Sequence, residues 1–217
     1  MKYKVSVFCL ILLSSSHTFA VTLPYFENFE SEPTCATNCS SSCVLSTTGW
    51  TNLINDDQDW IVDSGGTASG STGPSIDHNP GLSTGNYLYF EASSPCSNVT
   101  NTANLVSPPI ELTNTTFPVL NFYYHMFGNH IGFLHIDILD SSLNVLELDR
   151  IAPITDNRDE WQQSQIIDLT PFIAQGTIHL QFRAQHSGLG FLGDMAIDDI
   201  AIEEFIEENI FQDSFEE

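Results

Sequence analysis

Basic side chains are nearly missing from this chain: of 217 residues only five are Lys or Arg, against 28 Asp or Glu. Both lysines, Lys2 and Lys4, sit at the extreme N-terminus, so from residue 21 onward Arg150, Arg158 and Arg183 alone face 28 acids, a formal charge of −25. Such a surface repels phosphate backbones and anionic lipid heads, which excludes nucleic-acid partners and electrostatic docking on membranes. Long apolar runs are scarce as well. Residues 5–13 form a nine-residue run, where a bilayer core needs about 20, so no membrane insertion is expected. No P-loop and no HExxH pair is present, nor the E-x-D-x-x-E run of jelly-roll glucanases, and no enzymatic activity is expected.

What is present at the N-terminus reads as an export signal. Lys2 and Lys4 supply positive charge, residues 5–13 supply the apolar stretch, and Thr18-Phe19-Ala20 ends residues 14–20 with small side chains at −3 and −1 of a cut after Ala20. Residues 1–20 are therefore set aside, and a secreted, extracellular location is expected (periplasmic in a Gram-negative host). Cysteine usage agrees with export. Cys9 falls in the signal, which leaves Cys35, Cys39, Cys43 and Cys96. Four cysteines in an oxidising compartment read as two disulfides with three pairings to choose among. Three crowd into nine residues, so one bridge is expected inside the cluster and one from it to Cys96. A zinc site is the weaker reading, since no CxxC pair exists and no histidine lies near the cluster.

The body of the chain reads as strands and turns. Thr177–Gln185 alternates most cleanly, with Ile178, Leu180, Phe182 and Ala184 on one face. Further strands are expected near residues 25–29, 87–91, 119–126, 133–139, 143–148, 165–169 and 195–202. Residues 127–132, with two glycines and an asparagine, read as a hairpin between their flanking strands. Residues 64–85, rich in Gly, Ser, Thr and Pro, read as an extended surface loop. No amphipathic helix longer than two turns and no internal repeat is found. Many short strands punctuated by turns predict an all-β fold of two packed antiparallel sheets, formed as one domain over residues 21–203. Residues 204–217 read as an acidic, aromatic-bearing tail.

Several segments together resemble the MAM domain (the meprin/A5/receptor phosphatase mu type), an extracellular β-sandwich module. They are Phe26-Glu27-Asn28-Phe29-Glu30, Gly49-Trp50, Asp56-Asp57-Gln58-Asp59-Trp60, Thr72-Gly73-Pro74-Ser75-Ile76-Asp77-His78, Gly85-Asn86-Tyr87-Leu88-Tyr89-Phe90-Glu91, Leu105-Val106-Ser107-Pro108-Pro109-Ile110, Leu120-Asn121-Phe122-Tyr123-Tyr124-His125-Met126 and Ala196-Ile197-Asp198-Asp199-Ile200. Their order across residues 24–202 carries the resemblance; each alone is weak. The cysteine pattern looks more like a secreted bacterial branch than like the receptors. The resemblance implies a jelly-roll-like sandwich and a non-catalytic role in adhesion, holding an extracellular protein or glycan partner, with room for a homo-oligomer. A carbohydrate-binding accessory domain or a glycosidase-like enzyme is the alternative.

Similar modules hold a structural calcium between the first strand, an early loop and the last strand. The resemblance thus points to Glu30, Asp59, Asp77 and Asp199 as calcium ligands, since Ca²⁺ takes six to eight oxygens from sparse carboxylates, carbonyls and water. On a regular strand Asp198 and Asp199 face opposite ways, and Asp199 is chosen. The competing reading is that Asp59 and Asp77 only cap turns. His125, His130 and His135 are spaced by five, which on one strand reverses the face each time, so structural roles are expected. Trp50, Trp60, Trp161, Tyr87 and Tyr89 are expected to be core rather than a sugar platform.

Overall fold

The computed structural model describes residues 20–188 and 190–205. Residues 1–19, nearly all of the stretch read as an export signal, and residues 206–217 lie outside the described residues. Fourteen strands among these residues build two seven-stranded sheets. The first is organised on the long alternating strand β13 (Thr177–Gln185), flanked on one side by β9 (Phe133–Asp140) and then β10 (Val145–Glu147). On its other side β6 (Thr102–Val106) and β7 (Ile110–Glu111) lie end to end, bordered by β3 (Thr51–Asn52) and β1 (Val21–Thr22). The second sheet centres on β14 (Met195–Glu204), between β8 (Pro118–Met126) and the pair β5 (Asn86–Phe90) and β2 (Tyr25–Glu27). β11 (Arg158–Gln163) and β12 (Ile167–Asp168) extend it past β8, and β4 (Ile61–Ser64) extends it past β5. Every pairing is antiparallel except β1 with β7. The fold is the expected all-β sandwich.

The core lies between the layers because alternation sends one face of each strand inward. On β13, Ile178, Leu180, Phe182 and Ala184 are fully buried, as the period of two requires. They meet Leu88, Phe90, Leu120, Phe122 and Ile197 of the other sheet, and Phe122 sits edge-on to Phe182 at 4.9 Å. Trp50 and Trp60 are core residues, and each indole N–H finds an acceptor: the Tyr25 hydroxyl at 2.9 Å and the Ala103 carbonyl at 3.1 Å. The cysteines pair Cys35–Cys43 and Cys39–Cys96, one bridge inside the cluster and one reaching out of it.

Residues 127–132 do not make a hairpin. β8 belongs to the second sheet and β9 to the first, so this segment crosses between layers. Alternation shows which face of a strand is apolar but not which layer it joins, and both strands feed the same core from opposite sides. The glycines serve close passage instead. At Gly128 (φ 137°) a Cβ would collide with the Leu192 carbonyl, and at Gly132 with that of Gln185. The loop of residues 64–85 is also more than a surface excursion. It forms a strap across the outer face of the second sheet, with Thr72, Gly73, Pro74 and Asp77 buried. Under it a second apolar cluster forms from Ile61, Tyr87, Tyr89 and Ala196, with Trp161 against it.

Candidate functional site

The strap and β14 meet at a bulge. β14 pairs with β8 in one register through Asp198↔Tyr123 and in another from Ala201↔Asn121, so one extra residue is inserted between. Asp199 takes a positive φ of 44° there. The bulge overturns the expectation that Asp198 and Asp199 face opposite ways, because an inserted residue rotates the backbone between them. Both carboxylates turn to His78 on the strap. Asp198 Oδ2 accepts the His78 backbone N–H at 3.0 Å, Asp198 Oδ1 accepts the Asp199 N–H at 2.8 Å, and Asp199 Oδ2 lies 2.5 Å from His78 Nδ1. The His78 ring stacks on Tyr123 with centroids 3.5 Å apart, and Trp161 Nε1 donates to the Ile76 carbonyl at 3.0 Å. Beside the bulge opens a cleft of about 350 Å³ lined by Phe26, Glu27, Asn28, Asn79, Asp199 and Ile200, with Phe26 64% exposed.

Carboxylates are concentrated beneath this cleft without a lysine or arginine partner among the described residues. Burial, with the neighbouring Asp199 charge, pushes Asp198 up to about 8. Asp77 is fully buried; its Oδ1 accepts the Leu82 N–H at 2.6 Å, while Oδ2 has no partner. Gly85 is required beside it, since a Cβ there would strike the Asp77 carboxylate. Glu30 Oε1 accepts the Asn86 N–H at 2.7 Å, one residue beyond Gly85. Three of the four residues expected as calcium ligands therefore gather about the strap's second half: Asp77 within it, Glu30 at its exit and Asp199 on its His78. Asp59 lies elsewhere, where its Oδ2 accepts the Cys43 N–H at 2.7 Å. Among the described residues no three His, Cys, Asp or Glu side chains form a ready-made metal cage. The donor set nevertheless suits a hard cation in kind, being carboxylate oxygen with one buried oxygen lacking any donor.

Sequence reasoning passed over Asp198 and the role of His78. It also missed two short spellings: Gly81-Leu82-Ser83-Thr84-Gly85 fits G-x-S-x-G, and Gly188-Leu189-Gly190-Phe191-Leu192-Gly193 fits G-x-G-x-x-G. Neither stands in the strand–turn–helix context that gives those motifs their chemistry. The first lies in the strap ahead of β5, and the second joins β13 to β14 of opposite sheets. His125, His130 and His135 are not brought to one site. His125 Nε2 faces Asp159 at 3.5 Å, His130 Nδ1 accepts the Leu192 N–H at 3.1 Å, and His135 Nδ1 pairs with Asp149 at 2.6 Å.

Two packed sheets whose loops are clamped by carboxylates define a jelly-roll-like β-sandwich. The family model described as the MAM domain, meprin/A5/mu, matches residues 28–206, and the chain belongs to that family. MAM domain-containing glycosylphosphatidylinositol anchor protein 1 of Homo sapiens is 30% identical over 158 residues, covering 71% of this chain and 16% of that protein. Neuropilin-1a of Danio rerio is 41% identical over 96 residues, covering 41% of this chain and 10% of the relative. The chain thus spans a small fraction of the length of these relatives. Among solved structures, the K1 cleaved adhesin domain of Lys-gingipain from Porphyromonas gingivalis W83 aligns over 84% of this chain and 98% of its own, at 16% identity and a TM-score of 0.47. The CBM22-1 xylan-binding domain from Paenibacillus barcinonensis Xyn10C covers 84% of this chain and 95% of its own, at 13% identity and a TM-score of 0.45. Among the described residues no helix is long and apolar enough to cross a membrane.

Proposed function

We propose that this chain is a non-catalytic, extracellular recognition module that holds a protein or glycan partner at its loop-bearing surface. The observation that carries the reading is how the carboxylates are used. Glu30, Glu32, Asp56, Asp57, Asp59, Asp77 and Asp198 each accept backbone N–H groups from loops or strands distant in sequence or across a turn. That spends the acidic side chains on fixing loop shape, and a preformed surface loses less conformational freedom on binding. Membership of the MAM family, with relatives named as glycosylphosphatidylinositol anchor proteins, supports display outside the cell, and two disulfides suit an oxidising compartment.

Calcium belongs to the same proposal: Asp77, Asp198 and Asp199, with neighbouring carbonyl oxygens, would hold it and stiffen the strap. The test is a binding screen of the secreted chain against extracellular proteins and glycans, run beside polysaccharide and peptide substrates. Retention of a partner without turnover supports the reading. Hydrolysis abolished by changing one carboxylate would overturn it. For calcium, the melting temperature should rise when millimolar calcium replaces EDTA, and Asp77→Asn should remove the rise; an unmoved melt refutes that part.

A further inference from the structure

A second cleft lies on the same strap, away from the β14 bulge. It is about 380 Å³ in volume, between residues 66–75 of the strap and the end of β8, and its lining includes Thr67, Ser69, Ser71, Ser75, Phe127 and Asp159. We infer that this groove is a glycan-binding subsite for neutral or amino sugars, with Asp159 accepting sugar hydroxyls and Phe127 supplying the apolar wall. The inference rests on the recognition reading above and names its ligand class.

Four observations carry it. The groove is rigid: Thr72 Oγ1 donates to the Phe127 carbonyl at 2.9 Å, the Gly73 N–H donates to that same carbonyl at 3.1 Å, and the Asp194 N–H donates to Thr72 Oγ1 at 2.9 Å. Thr67 Oγ1 closes the strap on itself by donating to the Thr72 carbonyl at 3.0 Å, and the Asn157 side chain accepts the Gly128 N–H at 2.9 Å. The polar groups facing out are uncommitted. Ser71 and Ser75 are exposed, and their hydroxyls have no partner among the described residues. Asp159 has a side chain 63% exposed whose one ion pair among the described residues is with His125 at 3.5 Å. Phe127 is half-buried and lines the groove, and among the described residues no aromatic side chain stacks on it.

Charge then narrows the class. No cationic side chain lines the groove; Arg158, next to Asp159, is turned onto Asp156 at 2.6 Å. The carboxylates of Glu91 and Asp194 lie buried behind the strap. Phosphate, sulfate and uronate groups are repelled, which leaves neutral polyols and protonated amino sugars. Size argues against a protein. A stable protein partner covers roughly 800 Å² per side with an apolar centre, whereas this groove is small, hydroxyl-rich and glycine-rich. Its volume stands near the low end of ligand pockets, which run from about 300 Å³. Hydroxyls that both donate and accept, beside a carboxylate and an apolar wall, match a pyranose with its polar rim and C–H face.

The experiment is a glycan array followed by titration calorimetry on the full secreted chain, with Asp159→Asn, Phe127→Leu and, at the other cleft, Phe26→Ala. Binding of a neutral or amino oligosaccharide is expected. Asp159→Asn should weaken it about tenfold or more, the loss expected for a charged acceptor, with an unchanged melting temperature. Phe127→Leu should weaken it and Phe26→Ala should not. If a neutral glycan binds but only Phe26→Ala weakens it, this groove is the wrong site while the recognition reading stands. Binding of anionic glycans alone, or of proteins alone, overturns the ligand class and likewise spares that reading. A chain that retains nothing on glycan or protein panels overturns both.

Discussion

Asp194 should make this protein less stable as the pH rises through neutrality. Its side chain is fully buried behind the strap; Oδ1 accepts the Ala92 N–H at 3.0 Å, while Oδ2 meets no donor. Burial, reinforced by the charge of Glu91, raises it from 3.8 to about 7. Between these values the folded chain binds more protons at this position than the unfolded chain, so stability falls with rising pH across that window and stays low above it. The rise from 3.8 to about 7 corresponds to about 4 kcal/mol at most, since local relaxation reduces it. Asp194→Asn keeps the acceptor for Ala92 and removes a carboxylate whose ionisation the Glu91 charge opposes. Urea unfolding followed by the fluorescence of buried Trp50 and Trp60 measures it directly. The variant should exceed the parent by about 1 to 3 kcal/mol at pH 8 and match it near pH 4, with Asp198 contributing equally to both curves. Identical pH slopes in the two proteins would refute the reasoning.

Other consequences are equally direct. Removing Cys39–Cys96, which closes a loop of separation 57, should cost about 4 kcal/mol, against about 2.5 kcal/mol for Cys35–Cys43 with separation 8; paired alanine variants compared by denaturant midpoint test the order. Arg183 meets the fully buried Asp137 through two bonds of 2.8 and 3.1 Å. Burial alone would push Asp137 up, but Arg183 and the hydrogen bonds of Asp149 and Gln181 more than offset it and leave its pKa below the usual range. Arg183→Ala should therefore cost about 3 kcal/mol at neutral pH, and less in acid once Asp137 takes up its proton. Gly128→Ala should cost about 2 to 3 kcal/mol because its Cβ meets the Leu192 backbone at a positive φ, whereas Gly70→Ala, with open space around it, should stay within about 0.5 kcal/mol.

How much of this was legible in the sequence depends on which physical rule each feature obeys. Strand existence follows from a period of two, so Thr177–Gln185 could be read to the residue. Layer membership does not follow from that period, which is why residues 127–132 looked like a hairpin. β11 was invisible because Arg-Asp-Glu-Trp-Gln-Gln lies at an edge with most of its side chains in solvent, leaving no alternation to detect. The bulge left a trace that went unread. Met195, Ile197, Ile200 and Ile202 all point inward, and their spacing of two, three, two breaks period where Asp198 and Asp199 stand. A skipped residue in an otherwise strict alternation is what an inserted residue must produce. Glu30, Asp59, Asp77 and Asp199 were named together from the family resemblance, since chain distance does not show that Asp59 stands at Cys43 while Glu30 stands at Asn86.

The scarcity of basic residues explains why these carboxylates behave so differently from one another. With three arginines in the folded region, nearly every buried acid must find its stabilisation in backbone N–H groups. Glu32 succeeds: burial raises it, but the N–H groups of Ser46, Thr47 and Thr48 and the Thr48 hydroxyl more than offset this and hold it below the usual range. Asp194 and Asp198 do not, because each has fewer donors and another acid beside it. The first kind of carboxylate lends stability that is lost in acid, and the second removes stability as the pH rises. Asp194 and Asp198, the two carboxylates raised furthest, lie where the strap crosses β14 or its approach. The strap is therefore the part of the fold whose attachment depends most on what neutralises the charge beneath it, whether a proton or a bound cation.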